Sequence, residues 1–188
     1  MEEDKDYINL IHGDLTRATQ IQNGMPDSIG VMSIKTANWT ILEASLLPTP
    51  RALWNSFGYE GELSCVFADS NVGKSILAVQ IADRIARTDN VLYLDLELSE
   101  KQFQLRYTGE HGKLYTFPDR LYRVSLDSNS LLEDNFEEAI IGGMEQMALQ
   151  TGCKIFIVDN LTYLCCAMEK GDAAGRLMIQ LNNLKKRY

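Results

Sequence analysis

The sequence predicts an α/β domain with a mostly parallel sheet held between layers of helices. Three observations predict it. Short apolar runs alternate with stretches of helical period, the order that gives right-handed β–α–β crossovers. The runs are apolar almost throughout, as in Val91-Leu92-Tyr93-Leu94 and Ile155-Phe156-Ile157-Val158, which suits parallel strands covered on both faces. Candidate functional groups stand at the carboxyl ends of those runs, where ligands gather in open α/β sheets.

The bulk numbers set the frame. A chain of 188 residues, 45% hydrophobic, fits one domain plus an extension and can bury a sizeable core. Its net charge of −8 argues against an autonomous nucleic-acid binder, although an acidic subunit can still line a basic channel in an assembly. Cys65, Cys153, Cys165 and Cys166 lack the paired spacing of a metal site and read as reduced thiols. The start is acidic, and no apolar run approaches the ~18 residues of a membrane span. The expectation is a cytoplasmic protein with no membrane segment.

Residues 1 to 35 mix short apolar runs with Gly13, Gly24, Pro26 and Gly30, and are read as a partly ordered N-terminal arm. Residues 36 to 188 are read as the main domain. Thr36 to Leu47 spaces Trp39, Leu42 and Leu46 at helical intervals, and Pro48 and Pro50 stop it. The apolar run Leu63 to Phe67 is expected as the first strand. Ile76 to Arg87 then places Leu77, Ile81 and Ile85 on one helical face. Val91 to Glu97 is the second strand, and Ser99 caps a short helix with Gln102 at the capping-box position. Residues 108 to 120 read as an exposed loop or lid. Leu121 to Leu126 is a third strand, Asp127 to Ser130 a turn, and Leu131 to Gln150 a helix with Gly142-Gly143 marking a bend. Lys154 to Val158 forms a fourth strand that delivers Asp159, and a last helix runs from about Ala173 to Lys186.

The stretch Ala68-Asp69-Ser70-Asn71-Val72-Gly73-Lys74-Ser75 lies between the first run and the first long helix. In that context it approximates the phosphate-binding pattern G-x-x-x-x-G-K-[ST]. Loop amides and the helix dipole make a concavity for anions. Lys74 would reach the β and γ phosphates, and the Ser75 hydroxyl would bind Mg²⁺. Ala68 stands where the pattern asks for glycine, and its methyl is tolerable if φ stays below zero. Asp159, after four apolar residues, could hold the metal beside Ser75. Glu97 ends the second strand, where it could orient and deprotonate a water; Asp95, two residues earlier, competes for that part. An ordinary strand-to-helix turn and solvated strand ends are the plainer readings of the same residues. His12 and His111 are isolated and read as surface positions.

Those segments, together with Leu94-Asp95-Leu96-Glu97-Leu98-Ser99-Glu100-Lys101-Gln102-Phe103-Gln104-Leu105-Arg106 and Ile155 to Asn160, resemble the RecA-like P-loop ATPases. The likeness is to the subgroup that contains DnaB-type helicases, plasmid RepA-type hexameric helicases and AAA-family ATPases of bacterial mobile elements. It covers roughly residues 36 to 188. The resemblance implies a three-layer RecA-like core, ATP and Mg²⁺ as ligands, and Glu97 rather than Asp95 as the catalytic carboxylate. It also implies a homo-oligomer, and a DNA partner reached through elements not present in this chain. The family's later strands, sensor residue and arginine finger have no counterpart before Tyr188, so the core is expected to be incomplete at its C-terminal end. The residues and the resemblance together leave three functions: a DNA-acting ATPase, as the resemblance implies; a nucleotide-gated interaction module with negligible hydrolysis; and a small-molecule kinase with Arg120 and Arg123 placed over the phosphates.

Overall fold

The computed structural model describes residues 13, 16, 17, 19, 21, 28, 29, 31–126, 136–161, 164 and 173–187. The chain divides into two compact units, Met1–Pro50 and Arg51–Tyr188. In the first, β1 (Ser28–Ile29) and β2 (Met32–Ser33) form a small antiparallel hairpin that the sequence pattern did not suggest. Helix α1 (Ala37–Ser45) follows. Thr36 caps it by accepting a hydrogen bond from the Trp39 amide at 3.2 Å, and so satisfies one of the helix's orphan donors.

The second unit is built on β3 (Val91–Asp95), β4 (Leu121–Val124) and β5 (Ile155–Asp159). The three strands are parallel in the order β4-β3-β5, with β3 in the middle. Helices α2 (Lys74–Ile85), α3 (Glu100–Arg106), α4 (Phe136–Thr151) and α5 (Ala173–Lys185) cover the sheet. Alternation along β3 assigns the layers. Leu92 and Leu94 pack with Ile140, Met144 and Ala148 of α4 and with Leu177, Leu181 and Leu184 of α5. Val91 and Tyr93 pack on the other side with Val79, Ala82 and Ile85 of α2, joined by Phe103 of α3. Side chains that alternate across a strand thus feed two separate cores. The result is the expected three-layer α/β arrangement.

Several local signals act as read. Ser99 accepts from the Gln102 amide while the Gln102 side chain accepts from the Ser99 amide, a complete capping box. Gly152 ends α4 with φ of 68°, in the left-handed region that glycine enters without strain. Helix α4 passes through Gly142-Gly143 as one element. The lid region holds a short 3₁₀ turn at Glu110–Gly112. The expected turn at 127–130, the first residues of the helix expected from 131, His12, Cys165 and Cys166 lie outside the described residues.

One expectation fails. Leu63 to Phe67 is not a strand. Among the described residues its backbone enters no sheet ladder, and Val66 and Phe67 are 61% and 88% exposed. A strand exists only where an edge offers hydrogen-bonding partners, and this run meets neither edge of the β4-β3-β5 sheet.

Arg51 ties the start of this unit together. Its guanidinium reaches Glu60 at 2.9 Å and Asp89 at 2.6 Å. The Arg51 guanidinium holds the Asp89 carboxyl below its usual range, against a smaller opposing effect of burial. A depressed native pKa contributes stability that is present above the unfolded value, about 3.9, and is lost as pH falls through the native one. We expect Arg51→Ala to raise the Asp89 titration midpoint, read by carboxyl NMR, and to destabilise the protein at neutral pH but not at pH 2.

Candidate nucleotide site

The phosphate-type loop takes the backbone shape its residues permit. Gly73 sits at the N-cap of α2 with φ of 94° and ψ of 19°, and no side chain caps the helix there. That left-handed conformation is costly for any residue with a Cβ. Asn71 shares the region with φ of 63°, as asparagine can. Ala68 is not among the residues of positive φ, so the methyl that replaces the pattern's first glycine adds no backbone strain. Among the described residues, no protein group accepts from the amides of Ser70, Asn71 or Val72. These donors and the uncapped start of a 12-residue helix are groups that could receive an anion.

Lys74 and Ser75 open α2 and face different partners. The Lys74 ammonium donates to the carbonyls of Ala68 and Asp69, each at 2.6 Å. An ammonium has three donors, so one remains for an incoming group. The Ser75 hydroxyl donates to Oδ1 of Asp159 at 3.1 Å. This bond joins the loop helix to the end of β5, although 84 residues separate the two in sequence. Asp159 is only 7% exposed, and its other oxygen, Oδ2, accepts from the Tyr93 hydroxyl at 2.6 Å. Burial first, and then the Asp159 carboxylate, hold the Tyr93 phenol well above the ordinary tyrosine range. Tyr93 therefore remains a proton donor in this pair.

The two carboxylates at the end of β3 occupy different environments. Asp95 is 3% exposed. Its Oδ1 accepts from the amides of Glu97 and Leu98 at 3.3 and 3.0 Å, and its Oδ2 accepts from Nε of Arg123 at 2.9 Å. Arg123 also donates to the Leu98 carbonyl and lies 4.5 Å over the Phe103 ring. Asp95 thus organises the turn that carries Glu97. Glu97 itself is exposed, and its carboxylate accepts from the Asn160 side-chain amide. Of the two arginines expected over the phosphates in the kinase reading, Arg123 lies in β4 and is committed to Asp95, and Arg120 donates to the Thr88 carbonyl at 2.6 Å.

Tyr93 and Asn160 had no site role in the sequence reading, and Arg123 entered it only as an arginine of the kinase alternative. A signal existed for the first: a tyrosine inside an aliphatic strand needs a partner for its hydroxyl once buried. The other two depend on strand register, which sequence did not supply. Tyr93 stands opposite both Arg123 of β4 and Ile157 of β5, and Asp95 stands opposite Asp159.

The donors suit a small hard cation. Ser75 and Asp159 bring a hydroxyl and a carboxylate together, both oxygen ligands of the kind Mg²⁺ takes. No group of three or more acidic, histidine or cysteine ligands occurs among the described residues. A cation here would therefore complete its shell with phosphate oxygens and water, the usual habit of Mg²⁺.

Loop, helix N-terminus, hydroxyl and strand-end carboxylate on a parallel sheet define a P-loop nucleotide-binding domain. A family profile described as an AAA domain matches residues 32–188, and the chain belongs to that family of P-loop ATPases. Membership points to ATPase activity in general; such domains bind ATP with Mg²⁺ and often work as oligomers. No curated protein matches the chain. No described helix is long and apolar enough to cross a membrane.

Removing one member of a buried ion pair strands the other charge at a typical cost of about 3–5 kcal/mol. We expect Arg123→Ala to destabilise the domain by that order, seen as a lower denaturant midpoint. Arg123→Lys restores charge but not the two-pronged geometry, and should recover only part of it.

Proposed function

We propose that this protein binds ATP with Mg²⁺ on residues 68–75 and hydrolyses it as a RecA-like ATPase. It acts on DNA, in replication, unwinding or transfer of a mobile element, together with further copies of itself. The observation that carries the ATP reading is the Ser75–Asp159 contact, because it brings both metal-type oxygens to the loop. The DNA and mobile-element parts rest on the family resemblance.

The roles follow from position and chemistry. Amides of Ser70 to Gly73 receive the phosphates, and Lys74 neutralises charge that builds on the γ-phosphate. Ser75 and Asp159 hold the cation, which when bound screens the phosphate charge and orients the triphosphate. Glu97 takes a proton from the attacking water as its oxygen bonds to the γ-phosphorus. The bond to the β–γ bridging oxygen breaks, and ADP leaves with that electron pair. Asn160 holds the Glu97 carboxylate in the resting chain and must yield it for this step.

That same contact favours a second reading, a nucleotide-gated interaction module in which Glu97 stays engaged and hydrolysis is negligible. Equilibrium binding and single-turnover hydrolysis, each with and without single-stranded DNA, separate the two. Lys74→Ala should weaken ATP binding at least tenfold. Glu97→Gln should leave binding within about twofold and reduce single-turnover hydrolysis at least 100-fold, the usual weight of general-base catalysis. Wild-type binding without turnover in either condition would favour the gated module. No binding with or without Mg²⁺ would refute both.

A further inference from the structure

The hydrolysis outlined above gives no part to Tyr93. Its ring is 2% exposed and packs with Val79, Ala82 and Val91, a place that phenylalanine would fill as well. The hydroxyl is what needs explaining, since a buried hydroxyl is costly unless bonded. It donates to Oδ2 of Asp159 at 2.6 Å, while Ser75 donates to Oδ1 at 3.1 Å. Each carboxylate oxygen thus carries one hydroxyl donor. Because the Ser75 proton points at Asp159, the lone pairs of the Ser75 oxygen are left for a cation. Because the phenol sits on Oδ2, Asp159 cannot present both oxygens to one ion without losing a charge-assisted hydrogen bond.

Cations differ in what they ask of such a carboxylate. Mg²⁺ is small, keeps several waters and is usually bound through one or two carboxylates together with phosphate oxygens. Ca²⁺ takes six to eight ligands in flexible geometry and commonly uses both oxygens of a carboxylate. We propose that Tyr93 is a positioning residue that limits Asp159 to one available oxygen, and so sets the preference of the site for Mg²⁺ over Ca²⁺. The inference rests on the ATP reading of residues 68–75 and adds the determinant of cation choice. Outer partners that orient a metal-binding carboxylate typically matter 10–100-fold in metal affinity.

The test is equilibrium binding of a fluorescent ATP analogue to the full chain, titrated separately with Mg²⁺ and Ca²⁺. Wild type, Tyr93→Phe, Asp159→Asn and the double variant are compared, with thermal midpoints taken in the absence of nucleotide. For Tyr93→Phe we expect the half-saturating Mg²⁺ concentration to rise about tenfold while the Ca²⁺ value stays or falls. In the Asp159→Asn background the same substitution should change neither value, because the two residues act as a unit. If Tyr93→Phe does not fold, the carboxylate infrared bands of the wild type, assigned by their loss in Asp159→Asn, decide: a one-oxygen signature with both cations supports the inference, and a two-oxygen signature with Ca²⁺ overturns it. Equal shifts for both cations, no shift, or a full effect without Asp159 would reduce Tyr93 to a packing residue and overturn the inference. Failure of the ATP reading looks different: the wild type would bind no analogue with either cation, and this inference would fall with it.

Discussion

Two buried carboxylates face each other across neighbouring strands, and much of the domain answers that constraint. Asp95 and Asp159 are register partners at the ends of β3 and β5. Like charges directly opposite one another on neighbouring strands are destabilising. The fold supplies compensation on separate sides. Arg123 and two backbone amides satisfy Asp95, whereas the hydroxyls of Ser75 and Tyr93 satisfy Asp159. Among the described residues, only Asp95 of the two has a full cationic partner. The donors seen on Asp159 are neutral hydroxyls, which is the ground for proposing it as the place of an added cation.

This division also settles what each strand end does mechanically. Arg123 belongs to β4, yet it grips the turn after β3 through both Asp95 and the Leu98 carbonyl. The turn that presents Glu97 is therefore fastened to the sheet and not left to the flexibility of a loop. On the far side of β3, the Ser75–Asp159 bond fastens the start of α2 to β5. One attachment ends on the central strand and the other on its neighbour β5, so the loop helix and the exposed glutamate share one sheet as their base.

Much of this was legible in the chain, for reasons that can be named. Ser99 and Gln102 are local partners three residues apart, and their capping box needs no tertiary information. The apolar run of β3 reads as a covered strand because both of its faces are buried. Ser75 and Asp159 were singled out by residue type and position, and the fold brings them together. Register was not legible. It decides that Asp95 turns inward to Arg123 while Glu97 reaches solvent, a competition the sequence left open without the family resemblance. The run Leu63 to Phe67 misled because apolar composition marks a segment able to be a strand, and cannot say whether a partner edge exists.

That run has a further consequence. Leu63, Val66, Phe67, Val72 and Ile76 all stand exposed along one stretch of chain. Among the described residues the backbone of Leu63 to Phe67 joins no sheet ladder, and unpaired backbone beside apolar side chains is a template on which another polypeptide can pair. The surplus of eight negative charges pushes neighbouring copies apart and works against such sticking. Salt weakens that repulsion and leaves the apolar stretch untouched.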